Sequence, residues 1–117
     1  MEDDLVAWGR VLRIETRGRV SGWLAKAVVG FVEQSDGTLM VAAGSPEAAW
    51  GRNLLARPEC RVTIAGATFA AVARELEGAD HATAVRELIL KYGQPAERLG
   101  AGPAFEIRRS ELIPPEA

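Results

Sequence analysis

Only two segments of this chain carry helix signals, whereas six read as strands. That ratio excludes a parallel α/β sheet, which needs a crossover helix after nearly every strand. Val11–Thr16 alternates, with Leu12 and Ile14 on one face and Arg13 and Glu15 on the other, as a half-buried strand does. Leu24–Glu33 is long, apolar and β-branched and predicts a second, well-buried strand, and Asp36-Gly37 supplies the hairpin turn into Thr38–Ala43. Cys60–Ile64 and Thr68–Leu76 form another hairpin around Ala65-Gly66-Ala67, and Phe105 with Ile107 marks a last short strand. One helix is expected to open at Ser45 as N-cap with Pro46 at the first helical position, ending before Pro58. The other runs from Asp80 to Tyr92, with Val85, Leu88, Ile89 and Tyr92 as its apolar stripe, a Glu87–Lys91 pair outside and Gly93 as its stop. Consecutive strands paired in long hairpins predict a mainly β (α+β) fold: a six-stranded antiparallel barrel with two short helices, forming a single domain over residues 1–117.

Charge narrows the function. Fourteen basic against 16 acidic residues, a net charge of −2 and a pI near 5.5 argue against an electrostatic grip on nucleic acid or an anionic membrane. No apolar run approaches the roughly 18 residues of a membrane span, so a cytoplasmic protein without membrane partners is expected. With one cysteine, Cys60, and one histidine, His81, the chain can form neither an intrachain disulfide nor a Cys- or His-rich metal centre. Cys60 is expected to turn inward as a small core residue and His81 to face solvent without a catalytic role.

Two segments could carry chemistry. Arg17-Gly18-Arg19-Val20-Ser21-Gly22 combines two guanidiniums, a hydroxyl and two glycines, which suits a phosphate cradle but also an ordinary solvated turn. Ala43-Gly44-Ser45-Pro46 leads into Trp50-Gly51-Arg52-Asn53, where helix N-terminal amides could meet a phosphate or a ring carbonyl. Trp50 could wall an aromatic cofactor or fill the core, and Asn53 could cap or buttress the loop. Trp8 and Trp23 with Arg17 and Arg19 could stack and hold single-stranded nucleic acid, a reading that the net acidity disfavours.

Taken together, Leu12-Arg13-Ile14-Glu15-Thr16-Arg17-Gly18-Arg19-Val20-Ser21-Gly22, then Val41-Ala42-Ala43-Gly44, then Trp50-Gly51-Arg52-Asn53-Leu54-Leu55-Ala56-Arg57-Pro58-Glu59, resemble the deazaflavin (F420)-dependent nitroreductase family. The likeness runs from about Val11 to Leu112. It implies an FMN-binding type of split β-barrel, with coenzyme F420, or FMN as the alternative, in a groove between barrel and short helix. Hydride would pass from the reduced deazaflavin to a quinone, a nitro compound or an activated alkene. The cofactor would carry the chemistry, so no catalytic side chain and no metal are implied. By this resemblance Arg19, Ser21 and Gly22 match the phosphate-side turn, Gly44 and Ser45 the cofactor loop, and Trp50 and Asn53 the helix motif. Val20, Ala25 and the Ala43–Gly44 stretch stand where the family usually has basic residues, leaving Arg17, Arg52 or Lys26 to replace them. The different reading is a non-catalytic split barrel that binds a ligand or serves as a dimeric interaction module. A homodimer is expected either way, with Trp23 and the Leu24–Val32 strand to bury.

Overall fold

The computed structural model describes residues 2–20, 22–93 and 99–110. Three α-helices and seven strands are seen among them: α1 (Glu2–Ala7), β1 (Leu12–Arg17), β2 (Leu24–Val29), β3 (Val32–Glu33), β4 (Leu39–Ala42), α2 (Ala49–Ala56), β5 (Glu59–Ile64), β6 (Ala67–Leu76), α3 (Gly78–Tyr92) and β7 (Ala104–Arg109). All strands lie in one antiparallel sheet of order β2-β1-β5-β6-β7-β4-β3. Its two edge strands, β2 and β3, are separated in sequence only by Gly30 and Phe31. Three Cα steps reach about 11 Å at most, so opposite edges of the sheet must meet, and the sheet curls into a barrel.

This closure corrects the expected strand count. The apolar run 24–33 is not one strand but two: its first part pairs with β1 (Leu12↔Val29 to Arg17↔Leu24) and its end with β4 (Val32↔Met40). The residues between leave the ladder, and the backbone groups of Phe31 are satisfied by the end of α3. The Tyr92 hydroxyl accepts from Phe31 N (3.0 Å) and donates to Arg10 O (2.7 Å), with Phe31 O at 3.1 Å. Lys91, expected to pair with Glu87, instead donates from Nζ to Phe31 O (2.7 Å) and lies 3.8 Å from the centre of the Phe31 ring. Gly30 is required by this fit, since a Cβ there would stand 2.8 Å from the Tyr92 ring.

The barrel interior holds Leu12 and Ile14 of β1, Phe31, Leu39 and Val41 of β4, Val62, and Phe105 and Ile107 of β7. Burying such side chains contributes roughly 1.5–3 kcal/mol each. Ala71 and Ala73 of β6 also face inward, and their small volume leaves room for the neighbouring phenylalanines. β4 is buried at all four positions because Met40 and Ala42 meet a second cluster with Leu76, Ala84, Leu88 and Ala104, under α3. That explains why β4 shows no polar alternation.

The helices also differ from expectation, by one extra helix and one shifted start. α1, which has no sequence counterpart in the expected pair, buries Val6 and accepts from Ala65 N through the Val6 carbonyl (2.8 Å). It thereby covers the β5–β6 hairpin, whose Ala65 and Gly66 have φ of +51° and +83° as a two-residue primed turn requires. α2 begins at Ala49, four residues after the expected Ser45 cap, with Ala48 at the N-cap position and no side-chain cap. The reason is tertiary. Ala43 N donates to Pro103 O (2.9 Å), and Gly102 lies so close beneath that a Cβ would sit 2.6 Å from the carbonyl oxygens of both Ala43 and Ser45. Residues 43–45 are thus held against Gly102 and Pro103, and only a turn, Ala48 N to Ser45 O (3.3 Å), precedes the helix.

Candidate functional site at the barrel mouth

α2 closes the end of the barrel where β1 finishes. Leu54 joins the interior cluster, and Trp50 packs on it with its ring centre 6.0 Å from that of Phe105, tilted by 53°. Gly51 permits this approach, since a Cβ there would already be 3.3 Å from Ala43 Cβ and from Pro103 Cγ. Of the two roles open to Trp50, it fills the core with at least part of its ring and remains half-exposed at the mouth.

One turn further, Asn53 is 2% exposed and joins α2 to the turn after β1. Its Oδ1 accepts from both the backbone N (3.2 Å) and Nη1 (2.9 Å) of Arg19, and its Nδ2 donates to Oγ1 of Thr16 (3.0 Å). The turn is braced internally as well. Gly18 N donates to Trp23 O (2.7 Å), Gly22 N to Gly18 O (3.0 Å), and Arg17 Nη1 to Gly22 O (2.6 Å). Gly22 has φ +78°, which favours glycine, and a Cβ there or at Gly44 would meet nothing within 4 Å. Both glycines therefore border open space from which a ligand could approach the backbone.

Among the expected site residues, Arg17 is hydrogen-bonded to Gly22 and Arg19 to Asn53, and Trp50 and Arg52 lie on the same helix as Asn53. Gly44 and Ser45 lie in the segment leading to that helix, pinned by Gly102. Ser21 falls outside the described residues. Two contributors were not expected. Thr16, fully buried, anchors Asn53 from below. His81, expected to face solvent, is half-buried, and its Nε2 lies 2.9 Å from Gly102 O, so the proton sits on Nε2 and is donated to that carbonyl. The alternation of β1 places Thr16 inward beside Leu12 and Ile14, but its partner lies 37 residues away and leaves no local signal.

The donor set suits an anionic, partly aromatic ligand. Arg17 and Arg19 each commit one guanidinium nitrogen to the protein and keep others, and Arg52 is exposed with no side-chain partner among the described residues. The first turn of α2 carries no acidic residue and no side-chain cap. Cys60 takes no part: burial pushes its thiol up to about 12. No group of three or more His, Cys, Asp or Glu able to hold a metal occurs among the described residues, and no described helix is long and apolar enough to cross a membrane.

A family model described as F420H(2)-dependent quinone reductase matches residues 6–98. The chain belongs to that family. As a member of this F420-dependent family it is a deazaflavin-dependent oxidoreductase, with coenzyme F420 as cofactor. Among curated proteins no sequence matches. Solved structures agree in fold. An F420-H2 dependent reductase is 24% identical, with 85% of this chain and 94% of that chain covered at a TM-score of 0.71. A structure described as a domain-swapped dimer is 22% identical, covering 91% and 92% at 0.70. The heme storage protein HutZ from Vibrio cholerae is 18% identical, covering 93% and 87% at 0.71. The barrel described above is accordingly a split barrel, as the sequence resemblance implies.

Proposed function

We propose that coenzyme F420 is held at the barrel mouth between the Arg17–Gly22 turn and α2, and that the protein uses it to reduce a small organic acceptor such as a quinone, a nitro compound or an activated alkene. The observation that carries this reading is the double hydrogen bond from Arg19 to the buried Asn53 carbonyl oxygen. It aims a guanidinium from a turn that would otherwise be free to point at water. Arg19, with Arg17 and Arg52, would pair with the anionic phosphate and glutamate portion of the cofactor through charge-assisted hydrogen bonds. Gly22, Gly44 and Ser45 would let backbone approach the cofactor, with Ser21 adding its hydroxyl, and Trp50 would wall its ring system. When bound, the reduced deazaflavin supplies a hydride. The chain's own groups bind, orient and exclude water, so neither His81 nor Cys60 needs to act on the acceptor.

The protein acts as a single domain over residues 1–117 and as a homodimer in this proposal. Exposed Val20, Trp23 and Leu24 give it an apolar surface to bury, and nucleic acid is not a partner. The test is a titration of wild-type, R19A and W50A proteins with F420 and, in parallel, FMN. Loss of a charge-assisted contact should weaken F420 binding by about ten- to hundredfold in R19A. Unchanged affinity in both variants would remove the site, and tighter binding of FMN would change the cofactor. Turnover of a quinone by the loaded protein would dispose of the reading as a barrel that only binds its ligand.

A further inference from the structure

We infer that Thr16, buried inside the barrel and away from any ligand, is a positioning residue that sets the affinity for the anionic part of the cofactor by fixing how Asn53 presents its oxygen to Arg19. The inference rests on the proposed binding site. Arg19 offers Asn53 two N–H groups, one from backbone and one from the guanidinium, and neither can accept. The oxygen of the Asn53 amide must therefore face Arg19, and the NH₂ group must face Thr16. Turning the amide over would set NH₂ against the donors of Arg19, so only one orientation is compatible with the turn as it stands. At 2% exposure Asn53 has no water to substitute for a lost partner. Thr16 Oγ1, at 3.0 Å and 0% exposed, is thus the acceptor that satisfies the buried NH₂ group in that orientation.

The chain Thr16–Asn53–Arg19 runs from the barrel interior through α2 to an exposed arginine on a glycine-bordered turn. Each link is rigid for a local reason. Thr16 lies in the β1 ladder, paired with Ala25 and Cys60, and Asn53 sits within α2. Valine at position 16 keeps the shape of threonine and removes the acceptor. The buried Asn53 NH₂ then loses its partner, and the unpaired group draws the amide away from Arg19 towards water or another acceptor. Arg19 loses its two-point hold, and its guanidinium must be ordered at each binding event.

The experiment measures Kd for F420, and for a deazaflavin lacking the phosphate and glutamate portion, with wild type, T16V, T16S, R19A and T16V/R19A at two salt concentrations. T16V should weaken F420 binding by about tenfold, approach the loss in R19A and reduce its salt dependence. Binding of the truncated deazaflavin should stay unchanged. T16S keeps the hydroxyl and should restore wild-type affinity, and T16V/R19A should be no weaker than R19A alone, because both changes act through one contact. Losses that add in the double variant, or that extend equally to the truncated deazaflavin, would overturn the inference in favour of general damage to the barrel. If R19A weakens F420 binding and a folded T16V does not, the inference fails while the site stands. If R19A itself changes nothing, the site fails and the inference with it.

Discussion

Removing one oxygen from Tyr92 tests how the barrel is closed. Y92F keeps the ring that covers Gly30 and deletes the hydroxyl that accepts from Phe31 N at 3.0 Å and donates to Arg10 O at 2.7 Å. Phe31 N lies between β2 and β3, outside any ladder, so no strand partner can replace the phenol. An unpaired buried donor or acceptor costs about 1–3 kcal/mol, and because Tyr92 is half-buried a loss of about 2 kcal/mol is expected. Unfolding entropy is about 2.1 cal/mol/K per residue, or about 0.25 kcal/mol/K for 117 residues, so Tm should fall by about 8 °C. Urea unfolding followed by tryptophan fluorescence gives the free energy, and calorimetry gives Tm. The m-value should not change, since the same surface is exposed on unfolding. A loss below about 0.5 kcal/mol would refute the reasoning. It would mean that the seam's backbone groups pair as well with solvent, and that Lys91 alone holds Phe31 O.

Two further outcomes follow from the same structure. G30A should destabilise the protein by about 1–3 kcal/mol, because the added methyl would meet the Tyr92 ring at 2.8 Å; in a Y92L background most of that cost should vanish, which a double-mutant cycle measures. Cys60, whose thiol rises from an ordinary 9.0 to about 12 through burial, keeps its proton in the native state between those values while the unfolded chain loses it. The native state then binds more protons, so its stability is complete below about pH 9 and declines as pH rises towards 12. Unfolding midpoints across that window should fall more steeply for wild type than for C60A, and parallel curves would contradict the assignment.

Much of the barrel was legible from residue patterns. The alternation of Leu12 and Ile14, the Asp36-Gly37 turn and the Ala65-Gly66 hairpin all appear where local chemistry puts them, because each is decided by neighbours in sequence. The break at Gly30 was not read, since an apolar run looks the same whether it lies on one edge of a sheet or passes between two. Gly30 was its local sign, being the one residue of that run with no side chain to pack. The Ser45-Pro46 signal misplaced the start of α2 because a cap preference of about 1 kcal/mol yields to the tight packing of Gly102 against the same loop. At the mouth, the turn and helix motifs, through the family resemblance they carry, named Arg19 and Asn53. Their hydrogen bond spans 34 positions, however, and Thr16 offered no polar motif of its own, so the chain from barrel interior to exposed arginine required the fold.

The strand order has a consequence for how this chain is assembled. β7 is the last in sequence of the seven strands among the described residues, yet it lies between β6 and β4, pairing with both. Until residues 104–109 arrive, a growing chain can hold β2-β1-β5-β6 as one ribbon and β3-β4 as another, joined by the Gly30-Phe31 link but with two unsatisfied edges facing each other. The barrel, and with it the mouth closed by α2, is a property that the polypeptide acquires only when β7 slots into the gap.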